Sequence, residues 1–131
     1  FTVAKHFEHQ DRYYIGEHQV GFWFDGKPLY RRVISLGASQ FGTTEATAGK
    51  NIEIPHNIPN IKDIVKQEGI WRTGDQYRNF PSNYYGNAGW DGHFYCTAAN
   101  ICFELGTAIY NRLISTTTFL YIVLCYTKTT D

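Results

Sequence analysis

The stretch that most narrows what this chain can become is its last apolar run. Phe119 to Tyr126 reads Phe-Leu-Tyr-Ile-Val-Leu-Cys-Tyr, eight residues without a charge. A helix that crosses a bilayer needs about 20 apolar residues. The run therefore predicts a strand, and one that is apolar on both faces. Such a strand lies in the middle of a two-layer core, or packs one face on another subunit. Neither membrane insertion nor a secretory leader is expected, because no charged lead is followed by an apolar stretch near the start.

Shorter strand patterns precede it. Val20, Phe22 and Phe24 alternate with Gly21, Trp23 and Asp25, the period of a strand. Asp25-Gly26 supplies a turn pair, and Leu29 to Leu36 resumes the alternation, so a hairpin is predicted. Gly37 to Lys50 reads as a loop or a weak edge strand. Pro55 and Pro59 forbid a long helix over 51–59. Residues 61–71 suit either a short helix, with Ile61, Ile64 and Val65 at helical spacing, or a strand broken at Gly69. A second hairpin is predicted from His93–Thr97 and Ile101–Leu105. Residues 106–118 read as a polar return. Several short strands with regular turns make an all-β antiparallel β-sandwich the expected fold, of roughly seven to ten strands, with room for one short helix.

Composition then limits function. A chain of 131 residues is one domain and typically buries about two-thirds of its unfolded surface. Aromatic residues make up 17% and charged residues 18%, the reverse of a disordered chain. Twelve basic against twelve acidic residues give zero formal charge, without the positive field that nucleic acid attracts, so no nucleic-acid partner is expected. Cys96, Cys102 and Cys125 sit in apolar patterns and read as free thiols, with a Cys96–Cys102 bridge as the alternative. There is no methionine, and the chain is expected to be the C-terminal piece of a longer protein.

Three stretches carry a resemblance. Val20 to Ile34 resembles a G-x-W-x-D-G-K-P-L-Y-x-K/R-x-I segment, and Tyr121 to Asp131 resembles a Y-x-T-L-x-Y-T-K-T-T-D ending. Between them, Ile61 to Val65 is similar to an N-I-D-x-I-V stretch that tends to be extended, which tips 61–71 toward a strand. Together they resemble C-terminal domains of bacteriophage and prophage tail fibre, tail spike and baseplate-type proteins. The chain departs from that pattern at Phe24 and in an enlarged aromatic loop over 83–92. Residues 1–19 show no sustained period and read as an entry segment from an upstream stalk or domain, and the resemblance implies a β-sandwich tip domain over 20–131. It also implies a homotrimer in the virion tail, with bacterial cell-surface glycan and other tail proteins as partners. The motifs are structural and carry no catalytic residue across.

Residues 77–93 hold the most suggestive side chains. A sugar presents an apolar ring face edged by hydroxyls, so its site needs flat aromatics beside amides and carboxylates. Tyr77, Tyr84, Tyr85 and Trp90 are candidates for the first; Asn83, Asn87 and Asp91 for the second. Tyrosine also offers large contact area at little entropic cost. The competing reading has these aromatics packing over the sandwich end with their polar tips wet. Trp23, Arg31 and Arg32 suit an anion or acidic-sugar site, or an arginine stacked on an aromatic neighbour. His6 and His9 lack further ligands at metal spacing, so no metal and no other cofactor is expected. Asp75, Asp91 and Glu104 are glycosidase candidates by location only, since retaining chemistry needs two carboxylates about 5–5.5 Å apart. The chain is expected not to be an enzyme. The expected role is non-covalent, multivalent recognition of glycan, with trimer capping or docking to another virion protein as the alternative.

Overall fold

Alternation between core and outside sets the architecture. In this computed structural model, residues 12–80, 82–83, 88–115 and 118–131 are described. They form β1 (His18–Phe22), β2 (Pro28–Gly37), β3 (Lys50–Pro55), β4 (Ile61–Thr73), β5 (Gln76–Phe80), β6 (Ser82–Asn83), β7 (Asp91–Cys96), β8 (Asn100–Leu105) and β9 (Thr118–Lys128), with one α-helix, α1 (Thr107–Leu113). A five-stranded sheet in the order β1-β2-β9-β4-β5, sheet I, accompanies a four-stranded sheet in the order β3-β8-β7-β6, sheet II. Every strand pairing among the described residues is antiparallel. The fold is the all-β sandwich that the strand spacing predicts.

The core follows from period-two registers. Leu120, Ile122, Leu124 and Tyr126 of β9 are fully buried, and they meet Leu36, Trp71 and Phe80 from the same sheet. Sheet II supplies Ile54, Ile101, Phe103 and Leu105. Phe103 makes edge contacts with Phe41 at 5.1 Å and Phe80 at 6.0 Å between ring centroids, linking the two sheets. Edge-on rings are a favoured aromatic geometry.

Both predicted hairpins form, β1–β2 and β7–β8. In the first, the Trp23 N–H donates to the Lys27 carbonyl at 2.9 Å, and Gly26 takes φ +86°, where a side chain would strain the backbone. Residues 61–71 are strand, within the 13-residue β4. Register shifts between Ile61 and Lys66 account for the helix-like spacing of Ile61, Ile64 and Val65. Strand pairing begins at His18, two residues earlier than the Val20 boundary, because β1 starts with the pairing of His18 to Arg31.

The return over 106–118 contains α1. Ile109, Tyr110 and Leu113 form its buried stripe, but Gly106 at its N-cap offers no side-chain oxygen, so the sequence carries no start signal there. The helix anchors the preceding loop. Asn111 accepts from the Ala46 N–H at 2.8 Å and donates to the Ala46 carbonyl at 3.1 Å. Cys96, Cys102 and Cys125 are all free. Burial pushes the Cys96 thiol up to about 11, which keeps it protonated and unreactive near neutral pH.

The three stretches singled out in the sequence meet at one end of sheet I. Tyr30 and Tyr126 face each other in register and stack with centroids 6.0 Å apart. The Lys128 ammonium lies 4.9 Å from the Tyr30 ring centre. Lys27 donates to the Lys128 carbonyl at 3.2 Å and to the Asp131 main-chain oxygen. Ile61 pairs with Lys128, and the Thr129 N–H donates to the Asn60 carbonyl at 2.8 Å. Glu17 closes the cluster, accepting from the Tyr126 hydroxyl and the Lys128 ammonium, each at 2.6 Å.

Candidate functional site

The doubly apolar character of β9 leaves a second face on sheet I, pointing away from the core. Register builds it row by row. Arg31, Cys125 and Lys66 form the first row, and Val33, Val123 and Glu68 the second. Ser35, Tyr121, Ile70 and Asn79 form the third; Gly37, Phe119, Arg72 and Tyr77 the fourth. One end is therefore charged and the other aromatic.

The charged end is largely answered within the protein. Lys66 lies 3.7 Å from Glu68. Arg31 stacks on Tyr13 with its guanidinium 3.6 Å from the ring centre, and donates to the Arg12 carbonyl at 2.9 Å. Arg31 is thus a stacked arginine, with an aromatic partner from outside the hairpin. Cys125 is buried beneath this end; burial raises its pKa, and the Arg31 and Lys66 charges offset part of the rise.

Among the described residues, the aromatic end is uncovered. A groove of about 700 Å³ runs from Tyr13 and Glu68 over Val33, Val123, Tyr121 and Ile70 to Asn79 and Tyr77. Tyr77 is 65% exposed, Ile70 46% and Phe119 41%. Arg72 sits beside it with its guanidinium 5.6 Å from the Tyr77 ring centre, steadied by donation from Nε to the Gly74 carbonyl at 3.1 Å. An apolar floor, an exposed phenol ring, an amide and a guanidinium are thus mounted on hydrogen-bonded strands.

Of the residues singled out by sequence, Tyr77 belongs to this groove. Trp90 ends a 3-10 turn, Ala88–Trp90, and packs half-buried against the core. Asn83 pairs with Asp91 between β6 and β7, on sheet II. The Asp91 carbonyl accepts from the Gly106 N–H at 2.8 Å, and its Oδ1 is buried without a partner among the described residues. Tyr84, Tyr85 and Asn87 lie outside the described residues, as do His6 and His9. Tyr77 and Trp90 therefore do not share a surface: one points out from sheet I and the other onto the core. Asp75 lies in the β4–β5 turn of sheet I, whereas Asp91 and Glu104 belong to sheet II. Glu104 is engaged by His93 at 2.9 Å. Among the described residues, no three His, Cys, Asp or Glu side chains gather as a metal-holding group.

Tyr121, Asn79, Ile70 and Arg72 carry no site signal of their own in the sequence. The available signal was the second apolar face of 119–126, which announced an uncovered surface without saying which neighbours would complete it. Comparison with protein-family models, curated proteins and solved structures gives no match. The fold is an all-β sandwich, with a groove on the outer face of sheet I.

Proposed function

We propose that this chain is a phage tail-type tip domain that recognises bacterial cell-surface glycan without chemistry, multivalently, as a homotrimer. The observation that carries the reading is Tyr77. It is 65% exposed on β5, beside Tyr121, Ile70 and Asn79 across a shallow groove. A ring held by a sheet can stack on a sugar face at little entropic cost, while an adjacent amide meets hydroxyls. Each site would be weak, and a trimer would multiply weak sites into useful avidity on a repetitive surface. The meeting of the three family-like stretches gives each of them a structural job, as expected for scaffold motifs.

The test is binding of labelled protein to bacterial cells and to a glycan array, with Tyr77→Ala beside wild type. Binding lost in the variant, with the denaturation midpoint and mass unchanged, supports the reading. Equal binding by both, or none by either to any glycan or strain, sinks it. Trp90→Ala is a poorer probe because its ring packs on the core.

A second reading places the same face in a protein interface, with the domain capping a trimer or docking to another virion protein. Its supporting observation is the contiguity of Val33, Val123, Tyr121, Ile70 and Phe119 on one outer face. Under it, Val123→Lys lowers the mass measured by light scattering, whereas Tyr77→Ala leaves cell binding unaltered.

A further inference from the structure

We infer that the groove on sheet I takes an acidic saccharide, a sugar ring bearing an oxyanion, with Arg72 and Tyr77 as its reading pair. The inference rests on the glycan reading above and names the ligand class within it. Four observations carry it. First, in the four rows of described residues the face presents the cations Arg31, Lys66 and Arg72, and two are already engaged: Lys66 with Glu68, and Arg31 with Tyr13 and the Arg12 carbonyl. Second, among the described residues no carboxylate pairs with Arg72, whose only hydrogen bond there runs from Nε to the Gly74 carbonyl at 3.1 Å. A guanidinium has five N–H donors, so its terminal nitrogens keep the fork that suits carboxylate and phosphate oxygens.

Third, the Gly74 contact and the Tyr77 ring, 5.6 Å from the guanidinium carbon, hold that fork beside Tyr77, at the rim of the groove that Tyr77 lines. The carboxylate in the groove's lining, Glu68, sits near Lys66 two rows away. Ordering a long side chain before the ligand arrives lowers the entropic cost of binding. Fourth, the aromatic and amide groups lie next in the rows. Arg72 pairs with Phe119 and Tyr77, and Ile70 with Tyr121 and Asn79. A saccharide whose oxyanion meets Arg72 can lay its ring on Tyr77 and offer hydroxyls to Asn79. A neutral sugar leaves the fork unanswered, whereas a cationic one is repelled by it. Charge selection thus arises locally, on a chain whose formal net charge is zero.

The test compares wild type, Arg72→Gln and Arg72→Lys on three saccharide probes: a uronic-acid oligosaccharide, a phosphate-bearing glycan and a neutral oligosaccharide of matched length. Wild type is expected to prefer one or both acidic probes. Arg72→Gln is expected to lose roughly tenfold or more on them, the size of one charge-assisted pair, with neutral binding unchanged. Arg72→Lys should recover only part, because an ammonium lacks the planar fork. Preference for the uronic acid or for the phosphate tells which oxyanion the site takes. Rising salt should weaken acidic binding and spare neutral binding. Equal affinity of wild type for acidic and neutral probes, with Arg72→Gln indistinguishable, overturns the inference and leaves the glycan reading standing. Failure of every saccharide overturns both.

Discussion

The two outer faces of the sandwich share a core and differ in kind. On sheet II the outward residues are Asn51, Glu53, His93, Tyr95, Cys102 and Glu104, mostly polar around a buried thiol. On sheet I they are Val33, Tyr121, Val123, Ile70, Phe119 and Tyr77, with Ser35, Asn79 and Arg72 among them, more apolar and aromatic away from the charged end. An antiparallel sheet with one solvated face normally alternates apolar and polar residues, as sheet II does. Sheet I breaks that rule along β9, whose outer residues Phe119, Tyr121 and Val123 are apolar or aromatic. One sandwich thus carries a largely apolar outer face and a largely polar one.

The largest effects should separate the two sides of β9. Ile122→Ala removes a fully buried side chain and should cost about 2–5 kcal/mol. Val123→Ala, one residue on and half-buried on the outer face, should cost about 1 kcal/mol or less. Urea denaturation midpoints read both, and equal losses would mean that sheet I has no distinct inner and outer face.

Gly92 probes the inner side of sheet II. A Cβ there would meet Ile109 Cδ1 at 2.8 Å and Phe80 at 2.9 Å, so Gly92→Ala should cost about 1–3 kcal/mol by overpacking. At Gly37 the same change meets nothing within 4 Å, and the thermal midpoint should barely move. A harmless Gly92→Ala would show that α1 does not press on sheet II.

Next comes the charged cluster at the end of sheet I. Partial burial works against the Glu17 carboxylate, yet the hydrogen bonds from Lys128 and Tyr126 outweigh it and hold its pKa below the ordinary 4.5. A carboxylate depressed on folding stabilises the native state above its unfolded pKa, and that share is lost as pH falls through the folded pKa. Glu17→Gln should therefore cost about 1 kcal/mol or less at neutral pH, after solvent screening. Its deficit should vanish on acidification below 4.5. Tyr30 behaves oppositely. Its hydrogen bond to Asp131, with burial, pushes it up to about 12 from an ordinary 10.0, so its contribution holds below 10.0 and fades as pH rises toward 12. A stability gap between wild type and Glu17→Gln that stays flat from neutral pH into acid would mean that the Glu17 carboxylate does not stabilise the cluster.

The smallest effect belongs to the polar face. The His93–Glu104 pair is 2.9 Å apart with both side chains about half exposed, and Glu104→Gln should change stability by roughly 0.5 kcal/mol or less. A larger loss in calorimetry would mean that sheet II's outer face is structurally more committed than its polarity suggests.

Strand existence was legible because period-two patterns are local. Both hairpins, the free cysteines and the doubly apolar last strand could be read from residue order. The helix at 107–113 escaped because Gly106 offers no capping oxygen, and a stripe of three residues is too short to stand out. The groove escaped for a different reason. Tyr121, Ile70, Asn79 and Tyr77 come from three strands, and their adjacency depends on how β9 lies between β2 and β4. Trp90 and Tyr77 looked alike in a run of exposed-looking aromatics. The core claimed one and left the other to solvent, because Trp90 ends a 3-10 turn against α1 while Tyr77 sits outward on an edge strand.

Residue order alone settles that this chain makes strands, where its two clear hairpins turn, and that β9 is apolar on both sides. It does so because side-chain period and turn chemistry act over a few residues. Pairing order among strands far apart in sequence is a property of the whole packed chain. That order lays Tyr121 of β9 beside Ile70 of β4, gathers Lys27, Tyr30, Lys128 and Asp131 into one cluster, and decides which face of β9 meets the core.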